Sequence, residues 1–157
     1  MIFLKILVTW LQFLTAKRVC GGTIITEWHI LTAAHCVIDE AGPLGIGVLE
    51  TRQVNVTVGA HNLGSWKDEG AQRVEVAQWP MHDFSWRTTD NDMAILRLKD
   101  KIQLGNNVDL IDWKDSHSAR YEGKEATTIG WGRIEINTPK VNTPHSPSEY
   151  CITFEVE

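Results

Sequence analysis

This sequence predicts an all-β fold, an antiparallel barrel or sandwich, on three observations. Apolar and polar residues alternate with a period of two in several short runs, as half-buried strands require. Turn-forming segments rich in Gly, Asn and Pro separate those runs. Apolar spacing of the helical kind is nearly missing, apart from one short turn at 33–37.

The elements follow in order. Residues 1–16 carry a lysine near the start and an apolar stretch after it, the pattern of a secretory leader cleaved after Ala16. Lys5 and Gln12 break that stretch, Leu14 stands where a small residue is wanted, and the run is short for a membrane span. The competing expectation is a strand over Leu11 to Val19 that feeds Cys20; cleavage after Ala16 would destroy most of it. Val54, Val56 and Val58 alternate with Asn55 and Thr57, and Val74 and Val76 alternate with Arg73 and Glu75. Met93 to Leu98 is a mostly apolar strand closed by Lys99, Asp100 and Lys101. Thr127 to Gly132 is another strand, ending in glycines. Segments 62–65, 104–107 and 137–148 read as loops, the last with three prolines.

The 157 residues suffice for a real core, and 43% hydrophobic against 22% charged residues is a globular balance. A net charge of −5 leaves no basic footprint for nucleic acid, and no segment reads as a membrane anchor. Three cysteines are too few for a disulfide-built miniprotein. The seven tryptophans read as core or interface residues.

The chemistry concentrates at Leu31-Thr-Ala-Ala-His35-Cys36, preceded by Cys20-Gly-Gly-Thr-Ile-Ile. A histidine can take a proton from a hydroxyl near neutral pH and return it to a leaving group, provided a carboxylate holds its other ring nitrogen. Three more segments follow in order: Val58-Gly-Ala-His61-Asn62, Asp90-Asn-Asp92-Met-Ala-Ile-Leu-Arg-Leu98 and Gly130-Trp-Gly132. Together these resemble the chymotrypsin/trypsin family of serine proteases. The spacings from His61 to Asp92 and from Asp92 to Gly130 agree with that family. Between His35 and His61 the chain is longer, with an insertion at about 39–52 that would enlarge the loop beside His35.

The resemblance implies the first antiparallel six-stranded barrel of a two-barrel fold and the opening strands of the second. The corresponding division is a leader-like segment at 1–10, the first barrel at 11–112, a crossover at 113–125 and the start of the second barrel at 126–157. His35 would be the general base and then the general acid, and Asp92 the carboxylate that orients it. Asp90, the nearest competitor, reads as a solvated turn residue at the entrance of the strand. Cys20 and Cys36 would form a disulfide beside the histidine; two free thiols are the alternative in a reducing compartment. Cys151 is then left over: free, intermolecular, or orphaned from a partner in missing sequence. Secretion into an extracellular compartment follows from the same resemblance.

Other sites are weaker. Asn55-Val-Thr57 is a glycosylation sequon, expected on the outer face of its strand. The loop from Asn62 to Gln72 lies where some relatives bind calcium. Ala60 stands in place of a glutamate ligand, and Asp68 and Glu69 alone supply carboxylates, so calcium is not expected. No spacing among His29, His35, His61, His82 and the cysteines matches a zinc motif, so neither metal nor cofactor is expected.

A serine protease also needs a nucleophile and an oxyanion hole. The family carries them in a Gly-Asp-Ser-Gly-Gly segment, which these 157 residues do not contain. Ser116, Ser118, Ser146 and Ser148 stand in other contexts, and an Ile-Val-Gly-Gly-like activation start is also missing. The expectation is a serine endopeptidase represented by a fragment that holds the histidine and aspartate but not the serine, and is inactive in isolation. Its partners would be protein or peptide substrates and the remainder of the protease domain. The alternative is a non-catalytic homologue acting as a binding or regulatory module.

Overall fold

In the computed structural model, the described residues are 8–13, 19–42, 45–48, 54–60, 67, 70–80, 83–85, 87–105, 107–111, 125–129 and 151–155. Ten strands are described: β1 (Val8–Phe13), β2 (Val19–Thr26), β3 (His29–Thr32), β4 (Ile38–Gly42), β5 (Gly45–Val48), β6 (Val54–Val58), β7 (Gln72–Gln78), β8 (Ala94–Leu98), β9 (Glu125–Ile129) and β10 (Cys151–Glu155). A single 3₁₀ turn, Ala34–Val37, follows β3, at the place the sequence predicts a helical turn.

Six strands close into a barrel in the order β1-β2-β3-β8-β7-β6, and every neighbouring pair is antiparallel. The all-β expectation therefore holds, and period-two alternation builds the interior. On β8, Ala94, Leu96 and Leu98 point inward and are buried, while Ile95 and Arg97 point outward. Ile24, Ile30, Val54, Val56, Val58, Val74 and Val76 complete the barrel core. Ala34, Cys36 and Val37 plug the rim where β3 ends, and Ile102 and Val108 close the opposite one. At that far rim Gly59 has φ +76°, and a Cβ there would meet Val108 Cγ2 at 2.9 Å; both the backbone and the space demand glycine.

Several boundaries differ from the sequence expectation. The first strand is not Leu11 to Val19 but Val8–Phe13, so it begins inside the 1–10 segment set apart as leader-like. Pairing decides this: Val8 to Gln12 meet Thr23 to Val19 of β2, and Trp10 to Phe13 meet Thr57 to Val54 of β6. Two partner strands override the local apolar pattern. Cleavage after Ala16 would remove all of β1 and leave β2 and β6 with open edges. The insertion at 39–52 is not only loop, because β4 and β5 pair within it as a two-stranded sheet. The later strand starts at Glu125 rather than Thr127 and pairs with β10.

The sequon is placed differently as well. β6 is buried on both faces: Asn55 is 8% exposed and Thr57 1%. Asn55 is thus not on an outer, accessible face. The expectations that concern His61, the 62–65 loop, the calcium-type loop with Asp68 and Glu69, His82, the crossover at 113–124, Gly130 to Gly132, the 137–148 loop and the four serines lie outside the described residues. So does the fate of the Cys151 side chain.

The double burial of β6 leaves one debt. Thr57 Oγ1 is buried without a hydrogen-bond partner. A buried hydroxyl in that state costs about 1–3 kcal/mol. Thr57→Val keeps the shape and removes the orphan, so its urea midpoint is expected above that of the wild type. By contrast Leu96→Ala opens a cavity in the fully buried core, with an expected loss of about 2–5 kcal/mol.

Candidate active site

The register of β3 on β8 sets this site. Thr32 pairs with Ala94, so the chain leaves β3 and enters β8 at the same rim. His35 lies just beyond Thr32, and Asp92 just before Ala94. The 3₁₀ turn then sorts its side chains: Ala34, Cys36 and Val37 are buried, and His35 faces solvent. A Cys36 N–H to Ala33 C=O bond of 3.2 Å closes the turn. Thr32 anchors the approach by donating its hydroxyl to the Gly21 carbonyl of β2, at 2.9 Å.

Asp92 is placed by a tighter device. Asn91 takes a left-handed backbone, φ 56°, a conformation asparagine tolerates better than most residues. The Met93 N–H bonds the Asn91 carbonyl at 2.7 Å, so Asp92 sits at the apex of a three-residue turn. The Asn91 amide also donates to the Asp83 carbonyl at 3.2 Å. Asp90, by contrast, bonds within its own loop: it accepts the Thr88 hydroxyl at 2.6 Å, and its carbonyl accepts the Ser85 N–H at 3.0 Å.

Both Asp92 oxygens are engaged by the histidine segment. Oδ2 lies 2.7 Å from His35 Nδ1, and Oδ1 accepts the His35 backbone N–H at 2.8 Å. With Asp92 ionised, Nδ1 carries the proton and Nε2 is left with its lone pair. Half of the His35 side-chain surface is exposed, so that lone pair is open to an incoming hydroxyl. Partial burial, the largest influence on the Asp92 carboxyl, works against its ionisation. The His35 ring hydrogen bond, the His35 N–H, the His35 charge and the Ala34 N–H together outweigh it and hold the carboxyl below the ordinary carboxylate range.

Cys20 and Cys36 are joined by a disulfide that ties the start of β2 to the 3₁₀ turn, with a Cα–Cα distance of 6.3 Å. The pairing implied by the resemblance is thus formed. A surface depression lined by Gly59, Gln72, Gln103 and Val108 lies at the opposite rim and does not touch His35 or Asp92. The sequence reading missed the backbone N–H groups of Ala34 and His35 as carboxylate donors. It also missed Asn91, although an asparagine between two aspartates before an apolar run is a turn signal.

A histidine and a carboxylate thus meet at one rim of a closed antiparallel barrel. The family model described as Trypsin matches residues 6–154, and the chain belongs to that family. Among its relatives, duodenase-1 of Bos taurus is 31% identical over 128 residues, covering 80% of this chain and 45% of the relative. Chymotrypsin-C of Rattus norvegicus is 30% identical over 137 residues, covering 82% and 46%. Mast cell protease 3 of Ovis aries is 30% identical over 135 residues, covering 84% and 48%. The chain thus spans less than half the length of these relatives. Among the described residues no helix is long and apolar enough to cross a membrane.

The Asp92 carboxyl links stability to pH. Because its folded value is depressed, its contribution is present above the unfolded value, about pH 4, and is lost as pH falls through the folded one. The stability gap between wild type and Asp92→Asn is expected to be widest near about pH 6 and to narrow toward about pH 3. Urea unfolding across that range measures it; a gap independent of pH would show that the charge of Asp92 does not hold this rim.

Proposed function

We propose that this chain carries the proton-handling half of a secreted serine endopeptidase, and that His35 and Asp92 are its catalytic histidine and aspartate. The observation that carries the reading is the double engagement of Asp92, at 2.7 Å with His35 Nδ1 and 2.8 Å with the His35 N–H. Asp92 holds the ring in the tautomer with a bare Nε2 and stabilises the imidazolium once a proton arrives. His35 Nε2 takes the proton of a serine hydroxyl as it attacks a peptide carbonyl, and then delivers it to the departing amine.

The serine and the oxyanion hole belong to the remainder of the domain. Two facts support this: the 157 residues contain no Gly-Asp-Ser-Gly segment, and they span less than half of each relative described. The substrates are proteins or peptides, as the family implies. The Cys20–Cys36 disulfide supports an oxidising, extracellular destination.

The purified 157-residue chain is expected neither to cleave peptides nor to be labelled by a serine-directed fluorophosphonate. The transcript is expected to continue past Glu157 into a Gly-Asp-Ser-Gly segment. In the extended product, Asp92→Asn should lower kcat by about 10⁴ and His35→Ala by about 10⁶. A stop codon directly after Glu157 would sink the endopeptidase reading, as would an extended enzyme indifferent to His35→Ala.

A further inference from the structure

Asp92 follows a loop that touches the barrel core at Phe84, which is half-buried and packs against the core cluster. Its neighbour Asp83 takes a left-handed backbone, φ 47°, and so do Thr89 and Asn91 at the other end of the loop, with φ 58° and 56°. Asp and Asn visit this region more readily than most residues, and Thr seldom does. Two rungs tie the loop together. The inner one is the isolated bridge between Ser85 and Asp90, where the Ser85 N–H bonds the Asp90 carbonyl at 3.0 Å. The outer one is a side chain: the Asn91 amide donates to the Asp83 carbonyl at 3.2 Å.

The outer rung lies outside the barrel. From Ala94 onward the chain is held by β3 and, at its far end, by β7. Between Asn91 and that pairing stand Asp92 and Met93, and Met93 is 65% exposed. What the rung can fix is therefore the direction in which Asp92 leaves the loop. That direction has little tolerance. One carboxylate must meet His35 Nδ1 at 2.7 Å and the His35 N–H at 2.8 Å together, and a swing that serves one oxygen draws the other away. The left-handed Asn91 sets the turn, its carbonyl accepting the Met93 N–H at 2.7 Å, and its amide keeps that turn anchored beside Phe84.

We propose that Asn91 is a positioning residue: through its left-handed backbone and its amide bond to the Asp83 carbonyl it holds Asp92 on both of its His35 contacts. It acts through Asp92 and has no part in the proton transfer itself. Its consequence for catalysis rests on the endopeptidase reading of His35 and Asp92; the positioning does not. Asn91 and Asp83 are both exposed, so water competes for the rung and its loss loosens the clamp by degrees.

The test reads the clamp in the 157-residue chain and needs no turnover. Amide hydrogen exchange is followed at the His35 N–H, with the amides of β8 as the reference, and the Asp92 carboxyl is titrated by carbon NMR. Asn91→Gly keeps the left-handed backbone and removes the amide; Asn91→Ala disfavours the backbone as well. Exchange at the His35 N–H should quicken about 3–10-fold in Asn91→Gly, the effect of one ordinary hydrogen bond, and further in Asn91→Ala, while the β8 amides keep their rates. The Asp92 carboxyl, held below the ordinary carboxylate range in the wild type, should titrate higher in the same order. Phe84→Ala should act like Asn91→Gly. Thr88→Val breaks the hydroxyl bonds to Ser85 and Asp90 inside the loop and spares the outer rung, so it should move neither reading. An Asn91→Gly chain with both readings at their wild-type values would overturn the proposal. So would His35 and β8 amides that quicken by the same factor, the mark of a residue that only supports the fold, or a Thr88→Val chain that changes as much as Asn91→Gly. If Asn91→Ala does not fold, Asn91→Gly decides alone. Failure here leaves the endopeptidase reading to its own test, the sequence beyond Glu157 and the activity of the extended product.

Discussion

The antiparallel register between β3 and β8 is the constraint on which the rest depends. Pairing Thr32 with Ala94 sets two chain ends at one rim, and the proposed catalytic pair lies within a few residues of it. His35 and Asp92 are 57 residues apart in sequence, yet they share a carboxylate clamp because two short strands agree on where they start. A slip of one residue would turn Ile30 and Leu96 out of the core and Leu31 and Ile95 into it. The core therefore enforces the register, and the register enforces the site.

The clamp itself is economical. One carboxylate satisfies a ring nitrogen and a backbone N–H of the same residue, so the imidazole cannot swing without breaking a bond that also holds its backbone. The disulfide secures the other side of the turn by tying Cys36 to β2. Three buried side chains beneath the turn leave His35 as its one outward-facing residue. Rigidity is delivered from below, and the nitrogen proposed as the base is left in the open.

Much of this was legible in the sequence, for a physical reason. Period-two alternation reports a strand with one face inside, so β7 could be read directly from Val74 and Val76, and β8 from its mostly apolar run closed by Lys99, Asp100 and Lys101. Asp92 was legible because its order after His35 and its spacing from His61 match those of the family. What was not legible depends on partners. β1 was misplaced because its limits come from β2 and β6, not from its own apolar content. Asn55 and Thr57 looked outward by alternation, but burial on the second face of a strand leaves no periodic trace.

The closed order of strands also has a history in time. As the chain emerges from synthesis, β1, β2 and β3 can pair at once as a meander, each beside its neighbour in sequence. The two seams that close the cylinder, β1 on β6 and β3 on β8, join segments far apart along the chain. Such non-local pairings form slowly, because a long loop must be ordered before any contact rewards it. The nascent sheet must therefore wait with both flanks exposed, and β8 is its last stave. β8 is the last of the six barrel strands along the chain and the one that carries Asp92 to His35, so the pair cannot assemble before that strand is in place.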